Sequence, residues 1–298
     1  MGRKDKKNQQ PKVDVKKLPL PDFAAAREVF WQSLVAKHTA RLSDALGKPL
    51  KVTLPDGGVV DGQQHITTPW DVAFGISKGL AAASIVALVD GNQWDMGRPL
   101  EKDCKLELLK WDDPRSKYVF WHSSAHILGE AMERLYHINL SIGPPLKDGE
   151  GFFYEGRIPN EGVASQTDYS ALDALINIII KGKQKFERIM VSKADALKLV
   201  HYNKYKLDTI QNKVKDGDLC SIYKCGDLID PCVGPHVRST GVIKAMKVFK
   251  NSSSYFHGEK ENDSLQRVYG ISFPDKKLLK QWVKFTEEAA KRDHRKIG

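Results

Sequence analysis

Apolar positions along the chain recur first at helical and then at strand spacing. Phe23, Phe30, Leu34 and Leu42 fall near a 3.6-residue period, Pro21 and Asp22 open the segment, and Gly47 and Pro49 stop it, which predicts one helix over residues 21–46. Next come Lys51-Val-Thr-Leu54 and Val59-Val60 on either side of the turn Pro55-Asp-Gly-Gly58, the pattern of a β-hairpin. Thr68 as N-cap, Pro69 at the first helical position and Asp71 at the positive end of the dipole predict a helix over residues 69–80. Two further strands, residues 86–89 and 105–109, follow, with a turn at Asp90-Gly91-Asn92 between them. Strand, strand, helix, strand, strand within residues 48–110 predicts a small ubiquitin-like β-grasp domain, a fold that does not by itself give a function.

Residues 111–275 have a different texture and predict a larger α+β domain. Helices are expected over 121–136, over 168–187 with the apolar run Leu172, Leu175, Ile176, Ile179 and Ile180, and over 193–198 behind the cap Ser192. Strands are expected at 152–154, 205–210, 220–225, 242–249 and 266–271. After Pro274, residues 276–298 predict a charged amphipathic linker helix. The whole reads as an α+β chain: a basic tail at 1–20, a helical extension at 21–47, the β-grasp domain at 48–110, the larger domain at 111–275 and the linker helix.

Composition narrows the class. With 298 residues, 41% hydrophobic and 28% charged, the chain has material for one large or two moderate cores. No stretch reaches the roughly 18–20 apolar residues of a membrane span and no apolar segment marks a signal peptide, so a cytoplasmic protein without a membrane partner is expected. Cys104, Cys220, Cys225 and Cys232 are too few for a disulfide scaffold and read as reduced thiols. Half of the net charge of +10 lies in residues 1–20, where seven Lys and Arg face Asp5 and Asp14. Such a tail stays disordered, and it suits either an RNA partner or a solubilising leader.

The candidate chemistry begins with His122-Ser-Ser-Ala-His126, because two histidines four apart on a helix project from one face. Asp230-Pro-Cys232-Val-Gly-Pro-His236 lies in a loop whose Gly234 and Pro235 can turn Cys232 and His236 to the same side. Three imidazoles and a thiol suit a tetrahedral zinc site formed by His122, His126, Cys232 and His236, and they equally suit a metal-free polar pocket around an ester. On residue type alone, Lys206 is one of 47 basic residues with Lys204 beside it as an alternative, and Tyr154 and Cys232 read as core side chains.

The segment Val52-Thr-Leu-Pro-Asp-Gly57, followed by Thr68-Pro69 and Ile76, resembles the TGS domain of threonyl-tRNA synthetases and some GTPases. Further along, His122-Ser-Ser-Ala-His126-Ile-Leu-Gly, Ile142-Gly-Pro-Pro145, Gly151-Phe-Phe-Tyr154 and Asp230-Pro-Cys232-Val-Gly-Pro-His236 occur in order. Asn251-Ser-Ser253, Leu265-Gln-Arg-Val-Tyr-Gly-Ile-Ser272 and Arg292-Asp-His-Arg-Lys-Ile-Gly298 complete the series. Together these motifs resemble the editing domain of threonyl-tRNA synthetases, which is similar to that of alanyl-tRNA synthetases. The tail and helix ahead of them are similar to the eukaryotic cytosolic branch. One departure is Val233, where the family has Arg between Cys and Gly, so a tRNA contact through that arginine is not expected.

The resemblance implies hydrolysis of serine wrongly esterified to threonine tRNA. In the roles it implies, His122 holds or activates the water, Lys206 stabilises the anion or the leaving ribose oxygen, and Asp230 pairs with the seryl ammonium. Tyr154, His126, Cys232 and His236 then shape the pocket and bind the ribose hydroxyls. Such a second sieve is needed because losing one methyl is worth only about 1–3 kcal/mol in a binding pocket. The resemblance further implies no cofactor for hydrolysis. In the family an aminoacylating domain follows, with ATP, Mg and zinc and a homodimer interface, and no segment of this chain resembles it.

Overall fold

The computed structural model of the protein describes the backbone of residues 14–147 and 150–297, with side chains through residue 292. Most of the expected basic tail lies outside these residues. Its last part is ordered: Val15–Lys17 forms a 3-10 turn capped by Asp14, and Val15 and Leu18 pack against the larger domain.

Helix α1 (Phe23–Leu42) buries Ala24, Arg27, Trp31 and Leu34, a single stripe at helical spacing. The β-grasp domain then runs β1 (Pro49–Thr53), β2 (Val59–Gln63), α2 (Pro69–Ile76), α3 (Lys78–Ala83), β3 (Ser84–Val89), β4 (Asn92–Trp94) and β5 (Cys104–Lys110). Its sheet has the order β2-β1-β5-β3-β4, with β1 and β5 parallel at the centre. Thr68 caps α2 through a reciprocal box with Asp71, and Ser77 restarts the chain as α3, so the helix expected at 69–80 is two short ones. Leu50, Val52, Val72, Ala73, Ala87, Leu100 and Leu106 form the core between sheet and helices.

The larger domain is built around α4 (Pro114–Tyr136), which begins well before residue 121 because Asp113 caps it and Pro114 fits its first turn. Most of α4 is buried, including all positions from Ser123 to Glu133. After it come β6 (Asn139–Leu140), β7 (Phe152–Arg157), α5 (Tyr169–Gly182), β8 (Phe186–Ser192), α6 (Lys193–Leu199), α7 (Lys204–Lys213), β9 (Leu219–Cys225), β10 (Leu228–Pro231), β11 (Ala245–Tyr255) and β12 (Ser264–Phe273). Helix α8 (Lys276–Ile297) closes the chain, with Leu278, Leu279 and Trp282 packed on the core. One sheet has the order β11-β12-β7-β6 and the other β10-β9-β8.

Two expectations from the sequence are corrected. Residues 205–210 are not a strand but lie in α7, because the Asn203 side chain accepts from the amides of Tyr205 and Lys206 and starts a helix there. The helix expected to reach residue 187 stops at Gly182, where Lys183 takes a left-handed conformation (φ 49°), and Phe186–Ser192 pairs with β9 instead.

The helical extension is locked to α4 by a buried ion pair. Arg27 donates to both carboxylate oxygens of Glu133 at 2.9 and 2.8 Å, and also to the Tyr202 hydroxyl at 2.8 Å and the Asp227 carbonyl at 2.7 Å. Trp31 and Leu34 pack beside it on Ile189, Val191, Leu199 and Ile222. Removing one partner of such a pair strands the other charge in the interior, so Arg27→Ala is expected to cost about 3–5 kcal/mol in urea unfolding. Replacing both partners by apolar residues, Arg27→Met with Glu133→Leu, is expected to recover most of that loss; a single variant within 1 kcal/mol of the wild type refutes this assignment.

Candidate active site

Five elements converge on one cavity of about 560 Å³. Helix α4 presents His122 and His126 on the same face, β7 supplies Tyr154, α7 supplies Lys206, the end of β10 supplies Asp230, and Cys232 lies in the loop that follows. His236 is buried behind Cys232 at the end of that loop. Tyr154 reaches its place because nothing larger than hydrogen stands at two neighbouring positions. A Cβ at Gly129 would lie 2.8 Å from its ring, and one at Gly143 would lie 2.4 Å away.

One half of the site is a cluster of neutral donors. The sulfur of Cys232 lies 3.3 Å from His122 Nε2 and 3.3 Å from His236 Nε2, and the Gly234 amide donates to it at 3.4 Å. The ring of His236 stands 4.4 Å from that of His122 and 4.3 Å from that of His126, centroid to centroid. Burial disfavours charge on all of them: it pushes His122 down to about 4 and His126 to about 3, holds His236 well below its ordinary range, and raises the Cys232 thiol to about 12. At neutral pH the three imidazoles are uncharged and the sulfur is a thiol.

The other half is charged. Lys206 and Asp230 are only 7% and 4% exposed, and their Nζ and Oδ1 lie 2.6 Å apart. Tyr154 donates to the second carboxylate oxygen at 2.6 Å, and the Lys206 ammonium donates to the Tyr154 hydroxyl oxygen at 3.1 Å. Burial pushes the Asp230 carboxyl up, but Lys206, His126 and the two hydrogen bonds outweigh it and hold it below the ordinary carboxylate range. Both Asp230 oxygens are therefore engaged within the protein, where the sequence pointed to a pairing with substrate ammonium. Lys204, the alternative to Lys206, turns outward to Asp263. Val233 is 87% exposed at the cavity mouth, near Tyr118 and Ile142.

Three residues that hold the site were not singled out in the sequence. The Ser123 hydroxyl lies 3.2 Å from His236 Nδ1 and accepts from the Val237 amide at 2.9 Å; it stands inside the His-Ser-Ser-Ala-His motif, so a signal was present. Asp95 belongs to the β-grasp domain. One of its carboxylate oxygens accepts from the His236 amide and the other from the Tyr223 hydroxyl at 2.8 Å. Tyr223 in turn packs edge-on against His236 at 4.6 Å. A contact spanning 141 positions leaves no trace in local pattern.

The donor set also fits a metal. One ligand atom from each of His122, His126, Cys232 and His236 falls within 4.8 Å of the other three, and neutral imidazoles with a thiol that ionises on binding are zinc ligands. These four residues would complete a tetrahedron. That leaves no open position for a reacting water, which is the pattern of a structural site.

Comparison with known proteins follows the same division. Residues 50–110 match the TGS domain, and residues 220–269 match the Threonyl and Alanyl tRNA synthetase second additional domain. The chain thus carries domains of the aminoacyl-tRNA synthetase class. More particularly, it resembles cytoplasmic threonine–tRNA ligases over nearly all of its length. It is 50% identical over 283 residues to Threonine--tRNA ligase 1, cytoplasmic, of Homo sapiens, covering 94% of this chain and 39% of that protein. It is 48% identical over 280 residues to the Caenorhabditis elegans Threonine--tRNA ligase, cytoplasmic (94% and 38%), and 47% identical over 293 residues to that of Saccharomyces cerevisiae (94% and 40%). The chain spans about two fifths of the length of these relatives.

The buried imidazoles set a pH dependence. With native values depressed below about 6.5, they leave the unfolded chain binding more protons than the native one as pH falls below that value, so stability falls with it. Burial raises the carboxyls of Glu130, Asp95, Glu133 and Asp173, which act in the opposite direction, so the share of one imidazole is read by removing it. His236→Asn is expected to lose about 1 kcal/mol less stability than the wild type between about pH 6 and 5. Urea midpoints of both proteins at the two pH values test this, and the same pH dependence in both refutes it. Asp95 makes a separate prediction. Asp95→Ala leaves the His236 amide without its acceptor, so exchange of that amide is expected to accelerate at least about tenfold, with Asp95→Asn intermediate. Unchanged exchange in Asp95→Ala contradicts the assignment.

Proposed function

We propose that this site hydrolyses the ester between serine and the 3′-terminal ribose of threonine tRNA. The observation that carries the reading is a fixed ammonium, Lys206, held by Asp230 and Tyr154 opposite a set of uncharged imidazoles at one cavity. Ester hydrolysis needs positive charge where the carbonyl oxygen becomes anionic, and a polar neutral wall that orients water without competing for that charge. In the proposed step, water attacks the ester carbonyl, the bond from the carbonyl carbon to the ribose oxygen breaks, and the water proton ends on that oxygen. Serine and free tRNA leave.

In this reading His122 positions the water from the cavity wall, and its low basicity makes it a hydrogen-bonding group rather than a standing acceptor of a full proton. Lys206 stabilises the developing oxyanion or the ribose oxygen as it departs. Asp230 and Tyr154 fix Lys206, while His126, Cys232 and His236 give the cavity its shape. Rejection of threonine follows from the clash of its extra methyl in a pocket fitted to serine. No cofactor takes part.

The similarity to larger ligases extends the proposal. The whole protein would join threonine to its tRNA with ATP and Mg²⁺, as a cytoplasmic homodimer with a zinc site in its ligase domain. The zinc-dependent alternative draws on the His122, His126, Cys232 and His236 cluster, but an ion bound by all four has no open position for water, so a catalytic zinc would have to leave one of them free. Non-catalytic tRNA binding is the remaining reading, and the presence of both His122 and Lys206 at one cavity argues against it.

Serine release from seryl-tRNA and threonine release from threonyl-tRNA, both on threonine tRNA, test the proposal with and without a chelator. Serine is expected to be released selectively and without chelator sensitivity, and Lys206→Ala is expected to slow its release by about 100-fold or more. Chelator-sensitive release overturns the metal-free step. Equal release of both amino acids, or none, overturns the proposal.

A further inference from the structure

A second cleft, of about 390 Å³, lies between the β-grasp domain and β8 of the larger domain. Arginines enter it from both sides: Arg98 from the segment after β4, Arg188 from β8, and Arg238 just beyond the active-site loop. Two of them lie against tryptophans of the β-grasp domain. The Arg238 guanidinium lies 3.8 Å from the centre of the Trp70 ring, and that of Arg98 lies 3.3 Å from the centre of Trp94. Such stacking pre-orients the planar donors.

What sets this cleft apart is that its guanidinium groups are only partly matched by direct partners. The Nε atoms of Arg98 and Arg188 are both buried without a hydrogen-bond partner. Among the described residues, the Arg188 guanidinium has neither an ion pair nor a hydrogen bond, and Arg98 pairs only with Glu101 at 2.7 Å. The remaining nearby carboxylates are committed or peripheral. Asp95 accepts from His236 and Tyr223, Asp71 caps α2, and Glu187 is exposed. Burial, and then the like charge of Arg98, push the Arg188 guanidinium below its ordinary value, against the weaker opposing pull of Tyr223, Asp95 and Glu101. The contrast with Arg27 is direct: that guanidinium is buried against Glu133, whereas Arg188 is largely desolvated beside another cation. A half-buried guanidinium without a directly bonded anion is an unfavourable arrangement that an incoming anion in hydrogen-bond contact relieves.

We propose that this cleft binds a phosphate group, and that its source is a backbone phosphodiester of RNA, held between Arg98 of one domain and Arg188 and Arg238 of the other. The choice of RNA rests on the tRNA reading given above. Forked guanidinium donors match phosphate oxygens bidentately, and the two stacked arginines offer theirs in fixed planes. The ligand would bridge the two domains at the seam where Asp95 also holds the active-site loop.

The test uses the whole chain and the double variant Arg188→Gln/Arg238→Gln, with Arg238→Gln alone as a variant at an exposed position should the double one unfold. Binding to uncharged threonine tRNA is followed between about 50 and 200 mM salt, and each lost phosphate contact is expected to flatten the log–log salt slope by about 0.9. The expected result is a flatter slope and about tenfold weaker binding in the double variant. Serine release from seryl-adenosine, which carries no phosphate, should be unchanged. In a parallel arm, inorganic phosphate is titrated against thermal unfolding. Stabilisation of the wild type but not the variant by inorganic phosphate, with equal tRNA slopes, assigns the cleft to free phosphate and overturns RNA as its source. Equal slopes and no phosphate effect overturn the cleft altogether, and intact seryl-adenosine hydrolysis in that case leaves the hydrolytic proposal standing. An inert active site with a slope that still drops in the variant supports the cleft and counts against hydrolysis alone.

Discussion

The ion pair between Lys206 and Asp230 is the constraint around which the larger domain is arranged. A lysine ammonium and a carboxylate out of water are each costly, and their attraction compensates only when geometry is tight and remaining hydrogen-bonding capacity is filled. Tyr154 helps to fill it, and Gly129 and Gly143 leave the space that lets its ring approach. With one charge pair present, the other titratable groups of the cavity are held uncharged by the same burial. The result is a polar surface with its positive charge fixed at one point, so a reacting ester meets an environment already oriented for it.

The legibility of this arrangement in the sequence depended on how local each feature is. The β-grasp elements could be read because Thr68-Pro69 and the Pro55-Asp-Gly-Gly58 turn declare their boundaries within a few residues. Spacing placed the two α4 histidines on one face but was a weak signal for chemistry, which became legible only with the Cys232–His236 loop and the ordered motifs. The segment 205–210 was misread because its apolar residues are few and its helix is specified by one Asn203 side chain just upstream, while the strand at 186–192 was absorbed into a preceding apolar run that Lys183 terminates by a left-handed backbone turn. Asp95 was invisible for a different reason: its partners lie in another domain.

Much of the ordering energy therefore crosses domain and element boundaries. The extension helix α1 is held through Arg27 to the same α4 that carries His122 and His126, and Val86, Leu88 and Leu109 of the β-grasp sheet pack with Val119 of α4. Helix α4 is thus gripped from both sides along its length. Its rigidity is what keeps two imidazoles at fixed separation on one wall of the cavity.

The Asp95 contact carries a consequence for how such chains diverge. The β-grasp domain has its own core, yet one of its aspartates holds the backbone of the neighbouring domain's active-site loop. A replacement domain of identical fold that lacked a carboxylate at that spot would leave an amide and a phenol hydroxyl unsatisfied beside the cavity. Recombination between relatives is therefore tolerated at this junction only when both halves of the contact are inherited together, which makes the two domains a single heritable unit despite their separate cores.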